Sequence, residues 1–205
     1  MSRATSLAGV LLVVSIGSVS CLSDSPSPDT LKDYETALRR ADSLRQAERT
    51  LQAATELGRA IALAPEPVAA AVARLRLAEL FQRDRLWAAA EAEYRRSLSL
   101  DRTPAAHVGL ADLLRHEHRF DESVSNYRSA IDLEPNSTQA TAGLCRALID
   151  AADTGSAVEA CQTASEIEPS NVALRRLLGS ALLREERYEE AAVLLLQDAD
   201  LPASR

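Results

Sequence analysis

The feature that most constrains this chain is a period. Asp132-Leu133-Glu134-Pro135-Asn136 and Glu166-Ile167-Glu168-Pro169-Ser170 set like residues 34 positions apart. Leu100-Asp101-Arg102 is the equivalent 33 residues earlier, without the Pro, and Leu63-Ala64-Pro65 fits with a small insertion around Pro67. The 205 residues include 37 Ala and 31 Leu, with few Val or Ile beyond the first twenty positions. That composition on that period implies stacked helix pairs, not a sheet or one globular core.

The columns of the repeat make physical sense. One reads Ala41, Ala78, Ala111, Cys145, Gly179, and the column expected to face it reads Ala53, Ala90, Ser123, Ala157, Ala191. Small side chains at such positions let antiparallel helices approach closely. A third small column reads Ala60, Ser97, Ala130, Ala164 and fails at Asp198. Larger residues fill neighbouring slots, among them Leu77, Leu110, Leu144, Leu178 on first helices and Leu57, Tyr94, Tyr127, Cys161, Leu195 on second helices. Trp87, Phe120 and Tyr188 are expected to open their helices.

This pattern resembles the tetratricopeptide repeat family over residues 34–205, in five units at about 34–67, 71–103, 104–137, 138–171 and 172–205. The first unit is degenerate, with Arg40 in a Leu slot and Thr50 in an aromatic slot, and the last loses its closing pattern after Leu196. The resemblance implies an all-α solenoid over 30–205, with a concave groove that takes other proteins or peptides. Relatives that bind chaperone tails carry a Lys-and-Asn clamp in that groove; it is absent here.

The N-terminus reads differently. Arg3 precedes the apolar run Leu7 to Ile16, and Gly17, Ser18 and Ser20 follow, as in a secretory signal peptide. Cys21 after a small residue resembles the processing site of bacterial lipoproteins, in which that Cys becomes the acylated first residue. Ser18 departs from the Leu usually found three residues before it. Residues 1–20 are thus expected to be removed, leaving 21–29, rich in Ser and Pro, as a tether. Leu22 in place of Asp favours the outer over the inner membrane by resemblance. The alternative is an uncleaved helix holding the chain at an inner membrane.

Charge and motifs narrow the function. Net charge is −7, from 23 basic and 30 acidic residues without a basic stripe, which speaks against nucleic acid as partner. Lys32 stands alone beside 22 Arg, a bias of genome composition. His116 and His118 flank Glu117 but are two apart on a helix, and His107 falls in an apolar column, so no metal or other cofactor is expected. Asp153-Thr154-Gly155 has no second copy and reads as turn chemistry, as Asn136-Ser137-Thr138 reads as a helix start. With no nucleophile motif or phosphate cradle, an enzyme is not expected. Cys145 and Cys161 face the interior of the fourth unit from opposite helices. With Cys145 set opposite Ala157, their Cα atoms are expected near or beyond the roughly 7 Å limit for bridging, which leaves a disulfide or two buried thiols open and favours the thiols.

Two contact surfaces are expected. Mapping the family groove onto this chain selects Arg39, Asp42, Arg76, Glu79, Arg83, Asp112, Arg115, Arg146, Asp150, Arg176 and Arg184. Arg exceeds acid among them, which suits an acidic or C-terminal peptide, or else the guanidinium groups are merely solvated. On the last helix, Val193, Leu194 and Leu196 replace polar residues of earlier units and are expected to form a contact, with self-association as one outcome, unless Asp198–Arg205 fold over them. The reading is a non-enzymatic, periplasm-facing lipoprotein adaptor assisting assembly or secretion of envelope proteins, or an accessory subunit of an envelope enzyme.

Overall fold

A computed structural model describes residues 27–199. Within them ten α-helices run α1 Pro28–Gln46, α2 Thr50–Leu63, α3 Pro67–Arg83, α4 Trp87–Leu100, α5 Pro104–His116, α6 Phe120–Leu133, α7 Thr138–Asp150, α8 Thr154–Ile167, α9 Val172–Arg184 and α10 Tyr188–Ala199. Consecutive helices pack as five antiparallel pairs, each pair against the next. First helices of successive pairs also touch, α3 on α5, α5 on α7 and α7 on α9, while second helices make no contact of that extent. The odd-numbered helices therefore line the inner face of the solenoid.

Local chemistry sets the boundaries. Pro28, Pro67 and Pro104 open helices at positions whose N–H would be unpaired anyway. Ser27, Thr103, Asp153 and Asn171 cap helix starts by accepting backbone N–H bonds. The Ser27 cap extends α1 back to Pro28, into the segment read as tether. Tyr34 is then buried, its hydroxyl donating to the Ala69 carbonyl at 2.9 Å. Trp87, Phe120 and Tyr188 are the first residues of α4, α6 and α10.

All five turns within pairs share one geometry. A non-glycine residue takes a positive φ in each: Glu48, Arg85, His118, Ala152 and Glu186. The next residue's N–H bonds back across the helix end, as from Arg49 to Leu44 and from Asp153 to Leu148. This is the helix-stop motif that glycine usually closes, because a Cβ is unfavourable there. Ala152 is exposed, so removing its methyl group leaves no buried void. Ala152→Gly is therefore expected to raise the unfolding free energy by about 0.5–1 kcal/mol, read as a higher urea midpoint at unchanged slope.

The small columns are buried as the packing requires. Ala53, Ala78, Ala90, Ala111, Ala157 and Ala191 are fully covered. Where serine replaces alanine, its hydroxyl is satisfied across the pair: Ser123 donates to the Ala111 carbonyl and Ser97 to that of Ala71, both at 2.8 Å. Among the described residues no helix is long and apolar enough to cross a membrane.

Candidate partner-binding face

Equivalent positions on α1, α3, α5, α7 and α9 carry Asp42, Glu79, Asp112, Arg146 and Ser180. This row along the inner face is acidic for three pairs and then turns basic. The arginines expected to supply a positive groove are mostly committed elsewhere. Arg76 bonds Asp42 of the preceding pair at 2.8 Å, and Arg115 bonds Asp150 of the following one at 3.0 Å. Arg83 and Arg184 donate to the Arg45 and Ile149 carbonyls, where cations complement the ends of α1 and α7. Arg39 pairs with Glu35, and Arg176 is engaged as well. Among the described residues, Arg146 alone of the seven has neither hydrogen bond nor ion pair. The arginine excess thus locks neighbouring units together, because first helices touch and a guanidinium on one reaches its neighbour.

Between α3 and α5, reaching Gln139 on α7, lies a cleft of about 410 Å³ lined by Glu79, Tyr94, Val108, Gly109 and Asp112. Tyr94 and Tyr127, the large residues of α4 and α6, pass beneath the following first helix and meet Gly109 and Gly143. A Cβ at Gly109 would lie 2.5 Å from the Tyr94 ring, and one at Gly143 would press still closer on the Tyr127 ring, so only glycine admits them. The Tyr94 hydroxyl bonds Gln82 and the Tyr127 hydroxyl bonds Asp112. Burial, reinforced by the neighbouring carboxylates, pushes both phenols well above their ordinary range and keeps them protonated donors. Glu79 opens to solvent yet stands in the crease between this cleft and a smaller one of about 240 Å³ against α1. That crowding raises its carboxyl above the usual value, against the pull of Arg45 and Arg76.

Other expected sites fall as follows. His107 is buried and donates from Nδ1 to Asn126 Oδ1 at 3.0 Å, the roles following from the Asn126 amide donating to the Glu122 carbonyl. It takes the place of the Arg74–Glu93 pair in the preceding unit, 2.8 Å apart. His116 stacks on Trp87, and Asp153 caps α8. Among the described residues no group of three His, Cys, Asp or Glu could hold a metal ion. Cys21 lies outside the described residues.

One expectation is corrected. Cys145 and Cys161 form a disulfide, with Cα atoms 5.0 Å apart. Each Cβ tilts toward the N-terminus of its own helix, and the helices are antiparallel, so side chains one turn out of register converge. Gly179 and Leu195 touch in the same way one unit later. On the last helix, Leu194 is half-buried against the main core. Val193 and Leu196 are 63% and 66% exposed. They continue the outer stripe of Ser125, Arg128, Glu159 and Gln162, which faces solvent in the interior units too. A further helix pair would not cover it.

Sequence reasoning missed Gly109, Val108, Gln82 and Gln139 as cleft residues. The signal was present: two glycines 34 apart, mid-helix, where glycine costs about 1 kcal/mol relative to alanine.

A family model described as tetratricopeptide repeat matches residues 75–138 and 142–204. Bacteriophage adsorption protein A of Escherichia coli (strain K12) is 34% identical over 83 residues, which span 40% of this chain and 8% of that protein. The crystal structure of MamA protein superposes with a TM-score of 0.73 at 15% identity, over 85% of this chain and 99% of that one. Pseudomonas aeruginosa pilF gives 0.70 at 19% identity, over 86% and 80%. YrrB, a TPR protein with an unusual peptide-binding site, gives 0.66 at 15% identity, over 81% and 88%. At these identities the structural likeness speaks to the fold.

Proposed function

The chain belongs to the tetratricopeptide repeat family, and from that premise we propose that it is a non-catalytic adaptor, lipid-anchored through Cys21 and facing the periplasm, that holds other envelope proteins along its inner face. The observation that carries the adaptor role is the open cleft of about 410 Å³ between α3 and α5, on a face where successive first helices form a continuous row. YrrB, with a similar fold, has a peptide-binding site, and an extended peptide segment is the occupant we assign to this face. The face supplies creases and charges instead of a nucleophile held by a base, which favours holding over catalysis.

Export draws support from two independent features. The run Leu7 to Ile16 ahead of Cys21 has the layout of a lipoprotein signal. The buried Cys145–Cys161 disulfide belongs to oxidising compartments. Assisting assembly or secretion is the role suited to an anchored binding module of this size.

The test has two arms. Intact mass spectrometry of the full chain expressed in a bacterial host should give a mature protein beginning at acylated Cys21, and Cys21→Ala should lose the modification. A photo-reactive residue at Gln139, exposed beside the cleft, should cross-link a partner in the envelope, whereas one at Ser125 on the outer stripe should not. An unprocessed N-terminus sinks the lipoprotein reading. Equal labelling from both faces, or none from Gln139, sinks the inner-face adaptor.

A further inference from the structure

We propose that the α9–α10 end of the solenoid docks a second copy of the same end, so that the chain associates tail to tail as a two-fold dimer. Interior positions that face the following pair lose their cover here. Trp87 on α4 stacks on His116 of the following pair, and Tyr127 on α6 passes beneath Gly143 of the next. Ile149 and Val158 of the fourth pair are buried in the core that Leu178 and Leu182 of α9 complete. At the equivalent positions of the last pair stand Tyr188, Leu195, Leu183 and Ala192. Tyr188 is 61% exposed and Leu183 45%, Ala192 is exposed, and Leu195 is only half-buried. These four form the end of the stack, apart from Val193 and Leu196 on the outer stripe.

The opposite end is built differently. α3 packs on the first pair through Leu77 and Leu80. On α1 the same positions hold Arg40 and Ser43, both exposed. Seating that end on Leu183 and Tyr188 would strip water from Arg40 against a surface that offers it no acceptor. Head-to-tail growth is therefore disfavoured, and of the two ends the apolar one matches its own copy. Charge around the face permits this. The turn from α9 to α10 carries Arg184, Glu185, Glu186 and Arg187, two charges of each sign, with Glu185 and Arg187 bonded to each other at 3.1 Å. A rim of one sign would repel its copy across a two-fold axis, and a balanced rim does not. With α9 at 13 residues, the face is about 20 Å long and one helix pair wide. That lies at the small end of stable interfaces, so association in the micromolar range is expected.

Sedimentation equilibrium of the full chain in density-matched detergent, across the micromolar range, should show the mass rise from one chain to two and stop there. Leu183→Glu with Tyr188→Glu should weaken association about a hundredfold or more, because contact would bury charges without partners. Val193→Glu with Leu196→Glu should leave it unchanged. All four positions are exposed, so thermal melts should match wild type. Leu183→Gln, which adds no charge, should weaken association in the same direction and guards against a folding defect. All these chains keep the same N-terminus, so shared micelles would not tell them apart. A mass that stays at one chain overturns the proposal, whether residues 200–205 or another protein then covers the end. Growth past two chains also overturns it, since a closed two-fold contact forbids that, as does a dimer that survives Leu183→Glu with Tyr188→Glu. The adaptor reading is independent of each outcome and stands or falls with cross-linking from Gln139.

Discussion

Tyr127→Ala should lower the unfolding free energy by about 3–5 kcal/mol, the range for emptying a buried aromatic site. Tyr127 is fully buried, its ring lies on Gly143, and its hydroxyl donates to Asp112. Truncation leaves a void that two helices bridging different pairs cannot collapse together, and it deprives Asp112 of a donor. Tyr127→Phe isolates the second loss at about 1 kcal/mol. From the other side of the contact, Gly143→Ala drives a Cβ into the ring, well inside van der Waals distance. The gain in helix propensity, about 1 kcal/mol, does not offset overpacking of about 1–3 kcal/mol against a ring with nowhere to move. If the clash is the cause, Tyr127→Leu should rescue Gly143→Ala. Urea unfolding of the double-mutant cycle should then show coupling of about 1 kcal/mol or more, and additive effects would show that the two sites do not share a packing constraint.

The chain performs this compensation itself one unit later. At the position of Tyr127 the fourth unit has Cys161, and at the position of Gly143 the fifth has Leu177, packed against the core cluster that contains Cys161. A large residue below calls for glycine above, and a small one admits leucine. These exchanges lie across unit boundaries, so they are invisible to a reading that scores each column separately. The pairing within units was legible because it depends only on residues that recur at one register, Ala41 with Ala53 through Gly179 with Ala191. The inner-face charges were not. Whether Arg76 faces a partner or Asp42 depends on how closely successive first helices approach, a distance that the period does not encode. The same holds for Val193 and Leu196. Their apolar character is plain in sequence, but their place on an outer stripe rather than on the end of the stack is set by the rotation of α10.

Replacing Cys145 and Cys161 by alanine together should cost about 3 kcal/mol, the loop-entropy expectation for a closed segment of this length. The two residues are 16 apart and span the turn from α7 to α8. The bridge thus prevents the unfolded chain from separating the two helices of one unit. In a solenoid each unit is held only by its neighbours, so loss at the fourth unit weakens the fifth, whose α9 packs on α8. Hydrogen exchange should therefore rise in α7 to α10 of the double variant and stay near wild type in α1 to α4. Both cysteines are at most 1% exposed, so reductant should act through opening of the unit rather than by direct attack. Wild type unfolded and refolded in dithiothreitol should match the variant's lowered midpoint, while the variant itself should not respond. A wild-type midpoint indifferent to reductant would mean that the thiols are unbridged in solution, and would remove the disulfide as support for an oxidising compartment. A reductant-sensitive midpoint would tie full stability of the last two units to that compartment, since the same chain held in a reducing cytoplasm would lose the difference.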